Sequence, residues 1–224
     1  MNAVRFRVAA RLALGSALVL VAAGCGSGSG SGDGAADPST ATVPPAGERS
    51  MAVVSDSEIT TEIVDDLDAT DTWRVDYRHN VPGARIGELD AALDEALAVE
   101  PEVLVYSAGA NDLLPLGVPG MLEELQQRVD RASAETCVVF AVPTVDLDTL
   151  GDAEADQAGT LIAAFDDVLA DWGVRTVAYA DIAAEMADEG TSFFAEGEVG
   201  SFHPGVAAYP RIAAALADVA ATCP

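Results

Sequence analysis

The chain has 224 residues, 50% of them hydrophobic, and its 37 acidic side chains outnumber its 11 basic ones, all of which are arginine. The formal net charge at pH 7 is −26. A field of this sign repels nucleic acid and anionic lipid head groups. The composition therefore argues against a nucleic-acid-binding protein and against electrostatic attachment to a membrane.

The first 24 residues are typical of a signal peptide, with three arginines followed by the apolar run Leu12–Ala23 and no acidic residue. That run is too short, and wrongly flanked, for a membrane-spanning helix. It leads into Leu20-Val-Ala-Ala-Gly24-Cys25, which resembles a bacterial lipobox. We expect cleavage before Cys25 and diacylation of its thiol, which would place the protein outside the cytoplasm, held to the cell membrane by lipid alone. An ordinary secretory peptide with an incidental cysteine is the alternative.

A linker is predicted at 25–49, because residues 26–48 are mostly Gly, Ser, Ala, Thr and Pro and offer almost nothing to bury. Such a segment stays flexible, and Pro44-Pro45 stiffens part of it. Residues 50–224 are enough for one domain with a single core.

Beyond Cys25, the only cysteines are Cys137 and Cys223. An isolated pair in an exported protein favours a disulfide, with two free thiols as the alternative. Neither cysteine has the neighbours of a metal site, and His79 and His203 are the only histidines. We therefore expect neither a metal nor a cofactor.

Apolar runs alternate along the chain with segments of helical periodicity, such as the spacing of Leu89, Leu93 and Leu97. Strands are predicted at 51–55, 74–77, 102–107, 136–142 and 175–179. Helices are predicted at about 58–68, 89–97, 119–133, 161–172 and 205–221. This alternation predicts an α/β fold with a five-stranded parallel sheet and helices on both faces. Functional sites in such sheets form outside the carboxyl ends of the strands.

Groups suited to acyl transfer follow the first three predicted strands. Ser57 comes after the first, Gly83 after the second and Asn111 after the third, while His203 opens the last helix. A serine hydroxyl can act as nucleophile with a histidine as its base, and backbone N–H or amide groups can bind an oxyanion. Each residue also has an ordinary interpretation, as a helix cap, a turn glycine, a loop asparagine and an exposed histidine.

These residues and their neighbours resemble the SGNH (GDSL-type) hydrolase superfamily over residues 50–222. The matching blocks are Asp56-Ser57 with Thr60, Pro82-Gly83, Gly109-Ala-Asn111-Asp112 and His203-Pro204. The resemblance implies a three-layer, flavodoxin-like sandwich. It also implies that Ser57 is the nucleophile, that His203 is its base, and that the Ser57 N–H, the Gly83 N–H and the Asn111 amide form the oxyanion hole. The Ser57 N–H is expected at the start of a helix, and Asp112 is expected to buttress its loop.

Two positions depart from the family pattern. Ser55 stands where Gly-Asp-Ser has glycine, and Gly200 stands where Asp-x-x-His has the triad acid. Asp56 supports the turn in this family and is not assigned as the acid. Either Glu198 or Glu196 substitutes for the missing aspartate, or a backbone carbonyl orients His203 in a Ser–His dyad.

The resulting hypothesis is a monomeric, exported serine esterase that hydrolyses a small acyl ester, with acetyl groups on cell-envelope carbohydrate as the favoured substrate. An O-acyltransferase would use the same residues. Gly200 favours a third possibility, a non-catalytic envelope-binding lipoprotein that has kept the fold.

Overall fold

The computed structural model describes residues 49–195 and 203–224. Its strands are β1 (Arg49–Ser55), β2 (Trp73–Asn80), β3 (Val103–Ser107), β4 (Cys137–Val142) and β5 (Arg175–Ala178). Its helices are α1 (Thr61–Asp68), α2 (Asp90–Ala98), α3 (Leu113–Ser133), α4 (Asp152–Asp171), α5 (Tyr179–Asp188) and α6 (Tyr209–Ala220). The strands form one sheet in the order β2-β1-β3-β4-β5, and every neighbouring pair is parallel. The predicted five-stranded parallel sheet is confirmed.

Helices cover both faces of the sheet, because alternate strand residues point in opposite directions. In β1, Met51 and Val53 join one core cluster, while Ala52 and Val54 join the other. The first cluster includes buried residues of α1, α5 and α6, and the second includes buried residues of α2, α3 and α4. The predicted placement of helices on both faces is also confirmed.

The first three strands end at the same level of the sheet. Ser55, the last residue of β1, pairs with Asn80 at the end of β2 and with Ser107 at the end of β3. The loops that carry Ser57, Gly83 and Asn111 therefore leave the sheet side by side at one edge.

Helix α1 begins later than the sequence indicated. Its N-cap is Thr60, whose hydroxyl accepts the Ile63 N–H at 3.5 Å. The prediction that Ser57 lies at the start of this helix was wrong, because residues 56–60 form a separate loop. Likewise, β2 extends beyond the predicted end at 77 to Asn80, so the strand includes His79.

Other helices also differ from the prediction. Helix α4 begins at Asp152, ahead of the predicted 161, and α6 begins at Tyr209, after the predicted 205. Helix α3 begins at Leu113, ahead of the predicted 119, and is kinked at Gly117, whose φ is +66°. Helix α5 was not predicted at all, because the sequence assigned its first residue, Tyr179, to the end of β5.

The last residues of the chain are held at the amino-terminal ends of the strands, and the Ser57 loop lies at the carboxyl ends. Cys137 and Cys223 form the predicted disulfide, with their Cα atoms 6.0 Å apart. The Arg49 guanidinium donates to the Cys223 carbonyl at 3.3 Å, and that of Arg175 donates to the Thr222 carbonyl at 3.1 Å. In the described part of the chain, no helix has both the length and the apolar character needed to cross a membrane.

Candidate active site

Ser57 and His203 are in contact despite their distance along the chain. Ser57 lies two residues beyond β1, and His203 precedes α6. The Ser57 Oγ and the His203 Nε2 are 3.1 Å apart, and both side chains are half-buried. This separation is within hydrogen-bond reach, as a nucleophile and its base require.

The loop that carries Ser57 is closed by polar side chains at its base. The buried Ser55 Oγ lies 3.1 Å from the Ile59 carbonyl. The Asn80 amide also donates to that carbonyl, and its nitrogen lies 3.5 Å from the Ser55 Oγ. The hydroxyl therefore fits where the family has glycine, since it ties the start of the loop to its end.

Asp56 organises the turn that carries Ser57. Its N–H donates to the Ser107 carbonyl at 3.2 Å, at the end of β3. One carboxyl oxygen accepts the Glu58 N–H at 3.2 Å, and the other accepts the Asn111 amide at 3.3 Å. Asp56 thus occupies the supporting position that the sequence suggested.

Asn111 and Asp112 connect the loop after β3 to the loop after β2. The Asn111 amide nitrogen donates to the Ala84 carbonyl at 3.0 Å as well as to Asp56. The buried Asp112 carboxylate accepts the Ile86 N–H at 2.8 Å, so this side chain does buttress the loop.

Gly83 is exposed and has a φ of +80°, which is unfavourable for other residues. A Cβ atom built at this position would meet no other atom within 4 Å. The need for glycine here is therefore one of backbone conformation, and not of packing within the protein itself.

His203 is held through its backbone by residues 193–195. The Ala195 N–H donates to the His203 carbonyl at 3.1 Å, and the Gly205 N–H donates to the Phe193 carbonyl at 2.7 Å. A Cβ atom on Gly205 would lie only 2.8 Å from the Phe194 carbonyl oxygen. Glycine is thus needed at position 205 to let the two segments approach.

Two buried carboxyl groups lie next to Ser57 in sequence. Burial raises the pKa of Asp56 to about 7; hydrogen bonds from the Glu58 N–H and Asn111 oppose this rise, and the charge of Asp112 adds to it. Burial, and then the charge of Asp56, raise the pKa of Glu58 well above its ordinary value. Both carboxyl groups therefore hold their protons more strongly than exposed carboxyl groups do.

Comparison with known proteins places this arrangement in a family. Residues 53–211 match the sequence profile of the GDSL-like lipase/acylhydrolase family, which is more than half of the chain and includes Ser57, Gly83, Asn111 and His203. The chain belongs to the GDSL-like lipase/acylhydrolase family. No curated protein is significantly similar to it in sequence.

Solved structures share the fold of this GDSL-like chain at low sequence identity. A lipase/acylhydrolase from Enterococcus faecalis is 17% identical, with a TM-score of 0.57 over 77% of this chain and 96% of its own. An acetylxylan esterase from Geobacillus stearothermophilus is also 17% identical, with a TM-score of 0.55 over 78% and 94%. A G-D-S-L family lipolytic protein from Veillonella parvula is 16% identical, with a TM-score of 0.55 over 77% and 96%.

The fold brings four of the predicted site residues to one edge of the sheet, namely Ser57, Gly83, Asn111 and His203. Glu196, Glu198 and Gly200 lie outside the described residues, as does Cys25. Within residues 49–195 and 203–224, no three or more His, Cys, Asp or Glu side chains are grouped as metal ligands.

Sequence reasoning missed three residues around the site: Asn80, Glu58 and Tyr179. Asn80 and Tyr179 reach the Ser57 loop from distant parts of the chain, with the Tyr179 hydroxyl donating to the Glu58 carbonyl at 3.2 Å. Glu58 lies in the polar stretch Ser55-Asp-Ser-Glu58, where nothing in the sequence indicates that its carboxyl group is buried.

Proposed function

We propose that the chain is a serine esterase that hydrolyses a small acyl ester through Ser57 and His203. The observation that carries this proposal is the 3.1 Å contact between the Ser57 Oγ and the His203 Nε2 at the carboxyl edge of the sheet. Membership of an acylhydrolase family supports the same reaction class.

In the proposed reaction, the His203 Nε2 takes the Ser57 hydroxyl proton as the Oγ attacks the ester carbonyl carbon. The carbonyl oxygen becomes an oxyanion, and the Ser57 N–H, the Gly83 N–H and the Asn111 amide are the proposed donors to it. His203 then protonates the departing alcohol, leaving an acyl group on Ser57. Water, activated by His203, attacks this acyl-enzyme and releases the carboxylic acid.

The proposed substrate is an acetyl ester on cell-envelope carbohydrate. An acetylxylan esterase among the structural relatives makes deacetylation of a carbohydrate a reasonable first choice, although the low identity shows only a common fold. Transfer of the acyl group to a sugar hydroxyl in place of water would use the same residues. A binding protein without catalysis is favoured only by Gly200, which replaces the expected triad acid.

The proposed location is outside the cytoplasm, with the protein anchored to the membrane by a diacylated Cys25. The apolar run Leu12–Ala23 and the lipobox-like residues 20–25 support this proposal. The low-complexity residues 26–48 would give the domain enough slack to reach its substrate.

Turnover of p-nitrophenyl acetate by the purified mature protein tests the function. We expect Ser57→Ala to abolish hydrolysis and also labelling by a fluorophosphonate probe. Ser133→Ala, at an exposed position at the end of α3, is the matched control and should leave both unchanged. Hydrolysis that survives Ser57→Ala would rule out Ser57 as the nucleophile.

A further inference from the structure

Tyr179, the first residue of α5, contacts residues that flank the Ser57–His203 pair on both the serine and the histidine side. Its side chain is fully buried. Its hydroxyl donates to the Glu58 carbonyl at 3.2 Å, and its ring packs against that of Phe193 with the centroids 5.6 Å apart. One side chain thus contacts both the nucleophile loop and the segment that holds the histidine.

On the nucleophile side, Tyr179 holds the peptide group that joins Glu58 to Ile59. The same residue, Glu58, donates its N–H to Asp56 at 3.2 Å. Residues 56–60 belong neither to β1 nor to α1, so no repeating backbone pattern fixes their position. Side-chain hydrogen bonds to the backbone do this instead, and the Tyr179 hydroxyl supplies one of them.

On the histidine side, Tyr179 acts through Phe193. The Phe193 side chain is buried, and its carbonyl accepts the Gly205 N–H at 2.7 Å. His203 lies two residues before Gly205, and its own carbonyl accepts the Ala195 N–H at 3.1 Å. A shift of Phe193 would therefore move the backbone from His203 to Gly205.

We propose that Tyr179 is a positioning residue that sets the separation of Ser57 and His203 by anchoring the nucleophile loop with its hydroxyl and the histidine segment with its ring. This inference rests on the proposed function. Tyr179 contacts none of the reacting atoms, so its effect is on the geometry in which the proton is transferred. Burial raises the pKa of Tyr179 well above its ordinary value, so its hydroxyl keeps the proton that it donates.

Tyr106 provides a matched control within the same molecule. It is also a buried tyrosine, in β3, and its ring packs edge-on against Phe140 at 5.8 Å. Its hydroxyl has no hydrogen-bond partner among the described residues. Tyr106→Phe therefore removes one hydroxyl from the core, as Tyr179→Phe does, but it breaks no hydrogen bond to the Ser57 loop.

The test compares Tyr179→Phe with Tyr106→Phe in the mature protein. We expect Tyr179→Phe to lower kcat about three- to tenfold, the equivalent of one ordinary hydrogen bond, with little change in KM. Labelling by a fluorophosphonate should slow by a similar factor, since it also requires His203 to activate Ser57. Tyr106→Phe should change kcat by less than about twofold. Each rate is divided by the fraction of protein that is folded, so that a loss of stability is not counted as a loss of catalysis.

A second measurement does not depend on turnover. Tyr179→Leu should increase hydrogen exchange at the Gly205 and Ala195 amides, whereas Tyr106→Leu should not. Equal kcat for Tyr179→Phe and wild type, with Ser57→Ala inactive, would overturn the positioning role alone. A wild type that neither hydrolyses esters nor labels would overturn the proposed function. In that case, unchanged exchange in Tyr179→Leu would also overturn the anchoring by Tyr179.

Discussion

Glu58 buries a carboxyl group directly after Ser57, and neither of its oxygens has a hydrogen-bond partner among the described residues. Burying an unpartnered polar group is unfavourable, and burying it as an anion beside Asp56 would be more so. The raised pKa of Glu58 reflects this, because the group keeps its proton in the folded state. The folded protein therefore binds a proton at this position that the unfolded chain releases near its ordinary pKa.

Because the folded state binds this proton more tightly than the unfolded state does, the free energy of unfolding depends on pH. The stabilisation from protonated Glu58 is complete below the pKa of the unfolded chain and is lost as pH rises towards the folded-state pKa. The free energy of unfolding should thus fall as pH rises above the ordinary carboxyl pKa, by at most about 1.4 kcal/mol per pH unit for this proton. Glu58→Gln should reduce that slope in urea unfolding, leaving the part due to Asp56, whose pKa is raised to about 7. Glu62→Gln, at an exposed position in α1, should retain the wild-type slope.

The absent triad acid leads to a second prediction at the scale of single residues. If Glu198 orients the imidazole of His203, Glu198→Gln should lower kcat much more than KM, because the contact matters most in the transition state. In a Ser–His dyad, the same change should alter kcat by less than about threefold, and Gly200→Asp should raise it by restoring Asp-x-x-His. We favour the dyad. Steady-state kinetics of the two variants distinguishes these outcomes, and Glu196→Gln tests the other candidate acid in the same way.

The site residues that could be predicted are those whose signal is local. Ser57, Asn111 and His203 each have characteristic sequence neighbours, so the set could be assembled without coordinates. Asn80 and Tyr179 could not be found in this way. Their contacts with the Ser57 loop depend on how β2 and α5 pack against it, and nothing adjacent to them in sequence indicates that packing.

At the scale of elements, the strands were the most predictable part of the chain. Parallel strands buried on both faces are short, continuous apolar runs, and such runs stand out in a chain this rich in acidic residues. Helix α5 was missed because it follows β5 without an intervening turn residue. The buried residues Tyr179, Ile182 and Met186 do have helical spacing, so this pattern could have revealed the helix.

The disulfide between β4 and the chain terminus allows a prediction on stability. It closes a loop of 86 positions, which corresponds to about 4–5 kcal/mol in the chain-entropy model. Replacing Cys137 and Cys223 together by serine should lower the free energy of unfolding by about this amount in urea titrations. The bond lies at the amino-terminal end of β4, whereas Ser57 lies at the carboxyl ends of the strands. We therefore expect kcat at low temperature to remain unchanged. Wild-type protein reduced with a thiol should behave like the double variant.

For the whole molecule, the acidic composition and the N-terminal segment together predict how the protein is attached. Without the three arginines of the proposed signal peptide, 8 basic residues remain against 37 acidic ones, so charge cannot hold the domain on an anionic membrane. Two acyl chains on Cys25 would provide firm attachment, at about 0.8 kcal/mol per buried CH₂. Cys25→Ser should therefore leave the protein uncleaved or released into the medium, as cell fractionation would detect. Ser29→Ala, in the linker, should remain in the membrane fraction.

The hydrogen bonds of Asn111 have a consequence for how the oxyanion would be recognised. Both N–H bonds of its amide already have acceptors within the protein, Asp56 and the Ala84 carbonyl. To donate to a bound ester, Asn111 would have to exchange one of these partners for the substrate oxygen. A neutral ester carbonyl resembles the Ala84 carbonyl as an acceptor, so the exchange gains little in the substrate complex. An oxyanion is a much stronger acceptor. Asn111 would therefore favour the transition state over the substrate, and this difference in affinity is what lowers a reaction barrier.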